Sequence, residues 1–202
     1  MMLRRLTRRT ILGTACLLSF VPSLALATPA TDFVSSFGGQ LAHILNANVS
    51  TDKKYEELLP LLRKNVDIAG IGRYVLGRYW RVATPEQQKE YLQLFERVLL
   101  NAVTNQMGHY QDVSLQLLGS VPTPAGEKVS LLVRRPHQPD ITLTTVVAGT
   151  PPKVVDLYGE GASMRMTQRS DYTAFLTRNG GKVQVMIDAL KHQIAYNAAL
   201  RH

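Results

Sequence analysis

Residues 65–103 read N-V-D-I-A-G-I-G-R-Y-V-L-G-R-Y-W-R-V-A-T-P-E-Q-Q-K-E-Y-L-Q-L-F-E-R-V-L-L-N-A-V. The centre of this stretch holds a helix end, a short aromatic and basic corner, and a helix start. Thr84 is placed to cap a helix. Pro85 takes the first helical position, where a missing N–H costs nothing. Gln87, three residues after Thr84, completes a capping box. From Tyr91 onward, apolar residues at 91, 92, 94, 95, 98, 99 and 102 give helical spacing with one broad apolar face.

On the N-terminal side, Phe33, Phe37, Leu41, Ile44 and Leu45 predict a helix over residues 31–49. A second helix is expected over 53–65, with Pro60 beginning or kinking its later part. Asp67 opens a third helix through about Gly77. The helix that starts at Thr84 is expected to end near Gly108. On the C-terminal side the period changes to two. Val113, Leu115 and Leu117 alternate with Ser114 and Gln116, Val129, Leu131 and Val133 with Ser130 and Leu132, and Ile141 and Leu143 with Thr142 and Thr144. Residues 154–158 make a fourth strand, with a possible extension through Gly161. Pro- and Gly-rich connections at 122–126, 135–139 and 149–152 join these strands into an antiparallel meander. Helices return over 163–179, stopped by Gly180, and from about Lys182 to Leu200. This order predicts an α+β fold in which an antiparallel sheet of about four strands packs against a helical subdomain.

The segment V-L-G-R-Y-W-R-V-A-T-P-E-Q-Q at 75–88 resembles the signature of the MlaC family, periplasmic phospholipid-binding carriers also known as toluene-tolerance auxiliary proteins. Lys153–Ser163 resembles the family strand W-K-V-x-D-V-x-V-E-G-V-S, and 167–172 resembles its helix motif Y-R-x-Q-F. Pro152 stands where the family often has Trp, Thr167-Gln168 lacks the usual aromatic before Arg169, and Gly70 and Gly72 loosen the third helix. The resemblance implies a nuclear-transport-factor-like sheet with a helical subdomain beside it.

Residues 1–27 read as an export signal: Arg4, Arg5, Arg8 and Arg9, then a mostly apolar run too short for a membrane span, then Ala25-Leu26-Ala27. Thr7–Leu12 is compatible with a twin-arginine box or with the general secretion route. Cleavage between Ala27 and Thr28 leaves a single domain at 28–202, helical to 110, sheet over 111–161 and helical over 162–200. It removes the one cysteine, Cys16, and lowers the net charge from +8 to +4. The mature chain then uses no disulfide or thiolate chemistry. A charge this modest gives no argument for nucleic acid.

Catalytic signals are sparse. His43, His109, His137, His192 and His202 form no zinc-ligand spacing, and no G-x-S-x-G elbow is present. Ser163 reads as a helix cap. Asp156 lies in a strand and shares a face with Val154 and Tyr158. It is either a solvent-facing or arginine-paired acid, or the base of a small-molecule isomerase or hydrolase on a cone-shaped sheet. Arg73, Arg78, Arg81 and Arg169 suit either a phosphate headgroup or salt bridges to Asp67, Asp156 or Glu160.

The family resemblance implies a carrier, not an enzyme, with no cofactor and a bound phospholipid as cargo. A two-chain phospholipid carries about thirty methylenes, and exposing them to water costs roughly 24 kcal/mol. A carrier therefore needs a dry apolar slot. Val129, Leu131, Val133, Ile141, Leu143 and Val154 are its expected sheet-side lining. Val75, Leu76, Tyr79, Leu92, Phe95, Leu99 and Val103 are the helix-side candidates. The implied partners are an outer-membrane lipoprotein–porin complex and an inner-membrane ABC transporter with a lipid-binding periplasmic ring. The implied role is to maintain lipid asymmetry from the periplasm. A purely structural adaptor with a filled core is the remaining alternative.

Overall fold

The structure, a computed structural model, describes residues 28–106 and 112–199. The export signal with Cys16, the expected helix end at Gly108, and His109 and His202 lie outside the described residues. Among the described residues no helix is long and apolar enough to cross a membrane.

Four helices come first: α1 (Pro29–Asn46), α2 (Thr51–Asn65), α3 (Ile68–Leu76) and, after a 3-10 turn at Gly77–Arg81, α4 (Pro85–Gln106). Each start has a side-chain cap. Thr31 N donates to Thr28 Oγ1 at 3.1 Å, Lys53 N to Ser50 Oγ at 3.3 Å, and Gly70 N to Asp67 Oδ1 at 3.0 Å. The capping box at α4 forms in both directions, with Gln87 N to Thr84 Oγ1 and Thr84 N to Gln87 Oε1, each 3.2 Å. Pro60 neither starts nor ends a helix; it lies inside α2. Its side is exposed, so the backbone carbonyl it leaves without an N–H partner faces water.

The sheet follows in the order β1 (Ser114–Thr123), β2 (Gly126–Arg134), β3 (Ile141–Ala148), β4 (Lys153–Gly159) and β5 (Ala162–Ser163), all antiparallel. It has five strands, not four. Glu160 and Gly161 both take positive φ, 50° and 81°, and turn the chain back in a two-residue hairpin loop. The fourth strand therefore ends at Gly159 and does not run on. The expected connection at 122–126 shrinks to Pro124-Ala125, because β1 runs through Pro122. A proline is tolerated there because β1 is an edge strand.

Helices α5 (Met164–Arg178) and α6 (Val183–Ala199) complete the chain. Ser163 caps α5, with Met166 N donating to its Oγ at 3.2 Å. The α3–α6 helices enclose a core of Val75, Leu76, Tyr79, Tyr91, Phe95, Tyr172, Leu176, Ile187 and their neighbours. Gly72 fits this core for a steric reason. A Cβ there would come within 2.9 Å of Leu92 and 3.0 Å of Phe95, so the glycine lets α3 lie directly on α4. Tyr91 Oη donates to the Gly72 carbonyl at 3.0 Å and secures the crossing.

Candidate functional site

The strand register defines the sheet face that meets α1. Val133 pairs with Leu115 and Ile141, Leu131 with Leu117 and Leu143, and Val129 with Thr145. Directly opposed residues share a face. The sheet-side candidates Val129, Leu131, Val133, Ile141 and Leu143 therefore form one apolar surface. Val129, Leu131 and Val133 are buried, whereas Ile141 and Leu143 are half-buried.

Two apolar clusters meet under α1. Ala30 and Val34 pack on Val129, Leu131 and Val147. Phe37, Ile44 and Leu45 pack with Leu58, Leu61 and Leu62 of α2, Leu100 of α4 and Val154 of β4, with Val103 at the margin. Phe33 touches both clusters and makes the seam continuous. Helix α1 closes this seam from end to end. At its start Thr28 Oγ1 donates to Glu127 Oε1 at 2.6 Å. At its end Asn46 Nδ2 donates to Val113 O at 3.0 Å and Val113 N to Asn46 Oδ1 at 2.9 Å. Midway, Gly38 sits so close to the sheet that a Cβ would be 3.0 Å from Leu115 Cδ1.

The candidate residues do not all converge. Val75, Leu76, Tyr79 and Phe95 pack in the helical core with α5 and α6, and Leu92 and Leu99 lie at its margin. Only Val103 of the helix-side set joins the sheet-side residues, through the cluster that holds Val154. The physical reason lies in α4, which is apolar on two sides. Tyr91 and Phe95 face α3 and α5, while Leu100 and Val103 face α2. The residues that close the sheet face instead are Val34, Phe37, Leu58 and Leu62. Of these, the helical spacing of α1 included Phe37 but not Val34, and Leu58 and Leu62 belong to α2; nothing in the spacing named a partner.

Asp156 and Val154 do not share a face. The register shifts between Val146 and Val147, so Val146 pairs with Asp156 while Val147 pairs with Val154. This bulge turns Asp156 away from α1 and toward α5. Asp156 is 2% exposed. Its Oδ2 accepts from Ser163 Oγ at 2.6 Å and lies 3.2 Å from Arg165 Nε. Its Oδ1 accepts from Leu157 N at 2.8 Å and Arg165 N at 3.2 Å. The carboxylate is thus occupied in holding the α5 N-terminus, not solvent-facing and not aimed into the seam.

The arginines also differ from expectation. Arg165, not Arg73, Arg78, Arg81 or Arg169, pairs with Asp156. Arg165 and Arg169 lie over the Tyr74 ring at 4.5 and 4.8 Å, and Arg169 Nη1 donates to Tyr74 O at 3.1 Å. Tyr74 supplies from α3 the aromatic contact that Thr167-Gln168 does not provide. Two open hollows lie elsewhere. One of about 530 Å³ runs between α1 and α2 past His43, Glu57 and Lys64. The other, of about 270 Å³, lies beside Arg63, Asp67, Glu96 and Lys153.

The described geometry is thus a helix pinned at its two ends over an apolar seam of the sheet. The MlaC protein family matches residues 38–192. This chain belongs to the MlaC family. Among solved structures, the fold is similar to that of a phospholipid-binding protein from Ralstonia solanacearum solved in complex with a phospholipid. The TM-score is 0.74 at 17% identity, over 83% of this chain and 97% of that one. No curated protein sequence matches the chain. The MlaC match runs from Gly38 in α1 to His192 in α6, so it includes the helical core, the Asp156 hub and the sheet and α2 sides of the seam, while Phe33, Val34 and Phe37 precede it.

Proposed function

We propose that this protein is a periplasmic phospholipid carrier and that its cargo lies in the seam between α1–α2 and the sheet. The observation that carries this reading is the continuous apolar seam of Val34, Phe33, Phe37, Val129, Leu131 and Val154, closed by one helix that is pinned at its two ends. Family membership and the phospholipid-bound relative of the same fold support it. In the closed form the seam is filled by the protein's own side chains. Loading therefore requires α1 to part from the sheet, after which acyl chains replace one set of apolar contacts with another. The exchange is close to balanced, as a carrier that must also release its cargo requires.

Lipid headgroups would remain in water, so no dedicated headgroup residue is needed. In this reading the protein passes lipid between an outer-membrane lipoprotein–porin complex and an inner-membrane ABC transporter with a lipid-binding ring, and thereby maintains lipid asymmetry. Phospholipid is cargo, and no cofactor takes part. Mass spectrometry of natively purified protein tests the proposal. A stoichiometric two-chain phospholipid is expected, and organic extraction should remove it. Protein that emerges bare from gentle purification, and stays bare after incubation with phospholipid vesicles, would overturn it.

A further inference from the structure

Of the large apolar residues described, Val82 is the most exposed, at 71%. It follows the 3-10 turn that carries Arg78 and Arg81. Residues three apart eclipse in such a turn, so these two arginines project from one side. Tyr79 ties the turn to the end of α5: its hydroxyl is 3.1 Å from Thr177 Oγ1, and Arg78 Nη2 donates to the Tyr79 hydroxyl at 2.9 Å. Gly181 lies so close that a Cβ there would be 3.3 Å from Tyr79 Cε1. Arg178 and Lys182, both exposed, are chain neighbours of Thr177 and Gly181 and bring two more cations to the same corner. None of these four cations is in an ion pair among the described residues. Of the nearby carboxylates, Glu86 stays in the first turn of α4 and Asp188 accepts from Gln184.

We propose that this corner docks the protein directly on an anionic lipid bilayer, with the four cations at the headgroups and Val82 entering the interface. The shape favours a bilayer over an acidic protein. Val82 protrudes beyond its neighbours, and a fluid headgroup layer accepts such a wedge, whereas a protein partner would need a matching pocket. Each cation near an anionic surface contributes roughly fivefold in affinity, from ~1 kcal/mol apiece. Four give a contact that is useful yet reversible and sensitive to salt. The inference goes beyond cargo binding, because it places the carrier on the membrane surface without any protein complex.

Vesicle co-sedimentation of the mature protein tests it, with phosphatidylcholine vesicles made with and without phosphatidylglycerol. Binding is expected only to the anionic vesicles and should fall as salt rises. The Arg81→Glu/Arg178→Glu/Lys182→Glu variant should lose at least about 100-fold, and Val82→Ser should lose severalfold at unchanged net charge. These side chains are exposed, so the co-purified phospholipid should not change and the thermal midpoint should fall by no more than a few degrees, from Arg178 in the last turn of α5. That separates failure of docking from failure of the carrier reading. Wild-type protein that ignores anionic vesicles, variants that bind as well as wild type, or a corner that captures only an acidic membrane protein would each overturn the proposal.

Discussion

Ser163 Oγ donates to Asp156 Oδ2 at 2.6 Å, so one buried hydroxyl both caps α5 and joins that helix to the sheet. Three further contacts of Asp156, from Leu157 N, Arg165 N and the Arg165 guanidinium, make this carboxylate the link between the helical core and β4.

Asp156→Asn keeps the volume but removes the charge opposite Arg165. Loss of one member of a buried pair costs about 3 kcal/mol. In a domain of this size that is a fall in thermal midpoint of roughly 6–12 °C. Calorimetry checks it. Co-purified phospholipid should be retained, since Asp156 faces away from the seam; loss of cargo in the folded variant would contradict that placement.

Gly38 and Gly39 are adjacent in α1 but face different surroundings. A Cβ at Gly39 meets nothing within 4 Å, so Gly39→Ala should stabilise by up to ~1 kcal/mol through helix propensity. Gly38→Ile drives a branched side chain against Leu115 and should destabilise by about 1–3 kcal/mol. Urea midpoints of the two variants should move in opposite directions.

Fastening α1 to the sheet should block loading. The only cysteine in the chain is Cys16, within the expected export signal, so Gly38→Cys/Leu115→Cys offers a cross-link where a Cβ at 38 would lie 3.0 Å from Leu115 Cδ1. The oxidised variant, stripped of lipid, should not take up phospholipid from vesicles, and a reductant should restore uptake. Equal uptake in both redox states would place the cargo elsewhere.

Stability should decline in alkali through the aromatic core. Burial, with a smaller contribution from the Asp171 charge, pushes the Tyr172 phenol up to about 12; burial also raises Tyr91. A folded pKa above the unfolded value of about 10 means that the contribution is complete below pH 10 and is lost as pH rises toward 12. By pH 11.5 the Tyr172 share of the loss is about 2 kcal/mol. Tyr172→Phe should show a shallower decline in urea midpoint between pH 9 and 11.5 than wild type.

Local signals made most of the fold readable in the sequence. Thr84 with Gln87, Asp67 and Ser163 announced helix starts through hydrogen bonds confined to a single turn. The period-two runs around Val129 and Ile141 announced strands. The failures were all decided by the partner of a segment, not by the segment itself. Val154-Val155-Asp156 reads as even alternation, and only its pairing with Val146 and Val147 introduces the bulge that separates Val154 from Asp156. β5 is two residues long and exists only because Glu160-Gly161 reverses the chain. The site was half legible for the same reason. Periodicity gave the buried sides of α4 but could not assign Phe95 to α5 and Val103 to the neighbourhood of α2.

The two attachments of α1 are polar, and the stretch between them is greasy. Water can substitute for Glu127 at Thr28 or for Asn46 at Val113, but it gains nothing by advancing beneath the helix. Hydrocarbon has the opposite preference: it cannot undo either fastening, yet it matches Phe33, Val34 and Leu131 once an opening exists. Solvent and fat must therefore act together, and such a pairing is found where an aqueous compartment meets a membrane. In the proposed loading step α1 would thereby stay shut in open solution and yield at a lipid boundary.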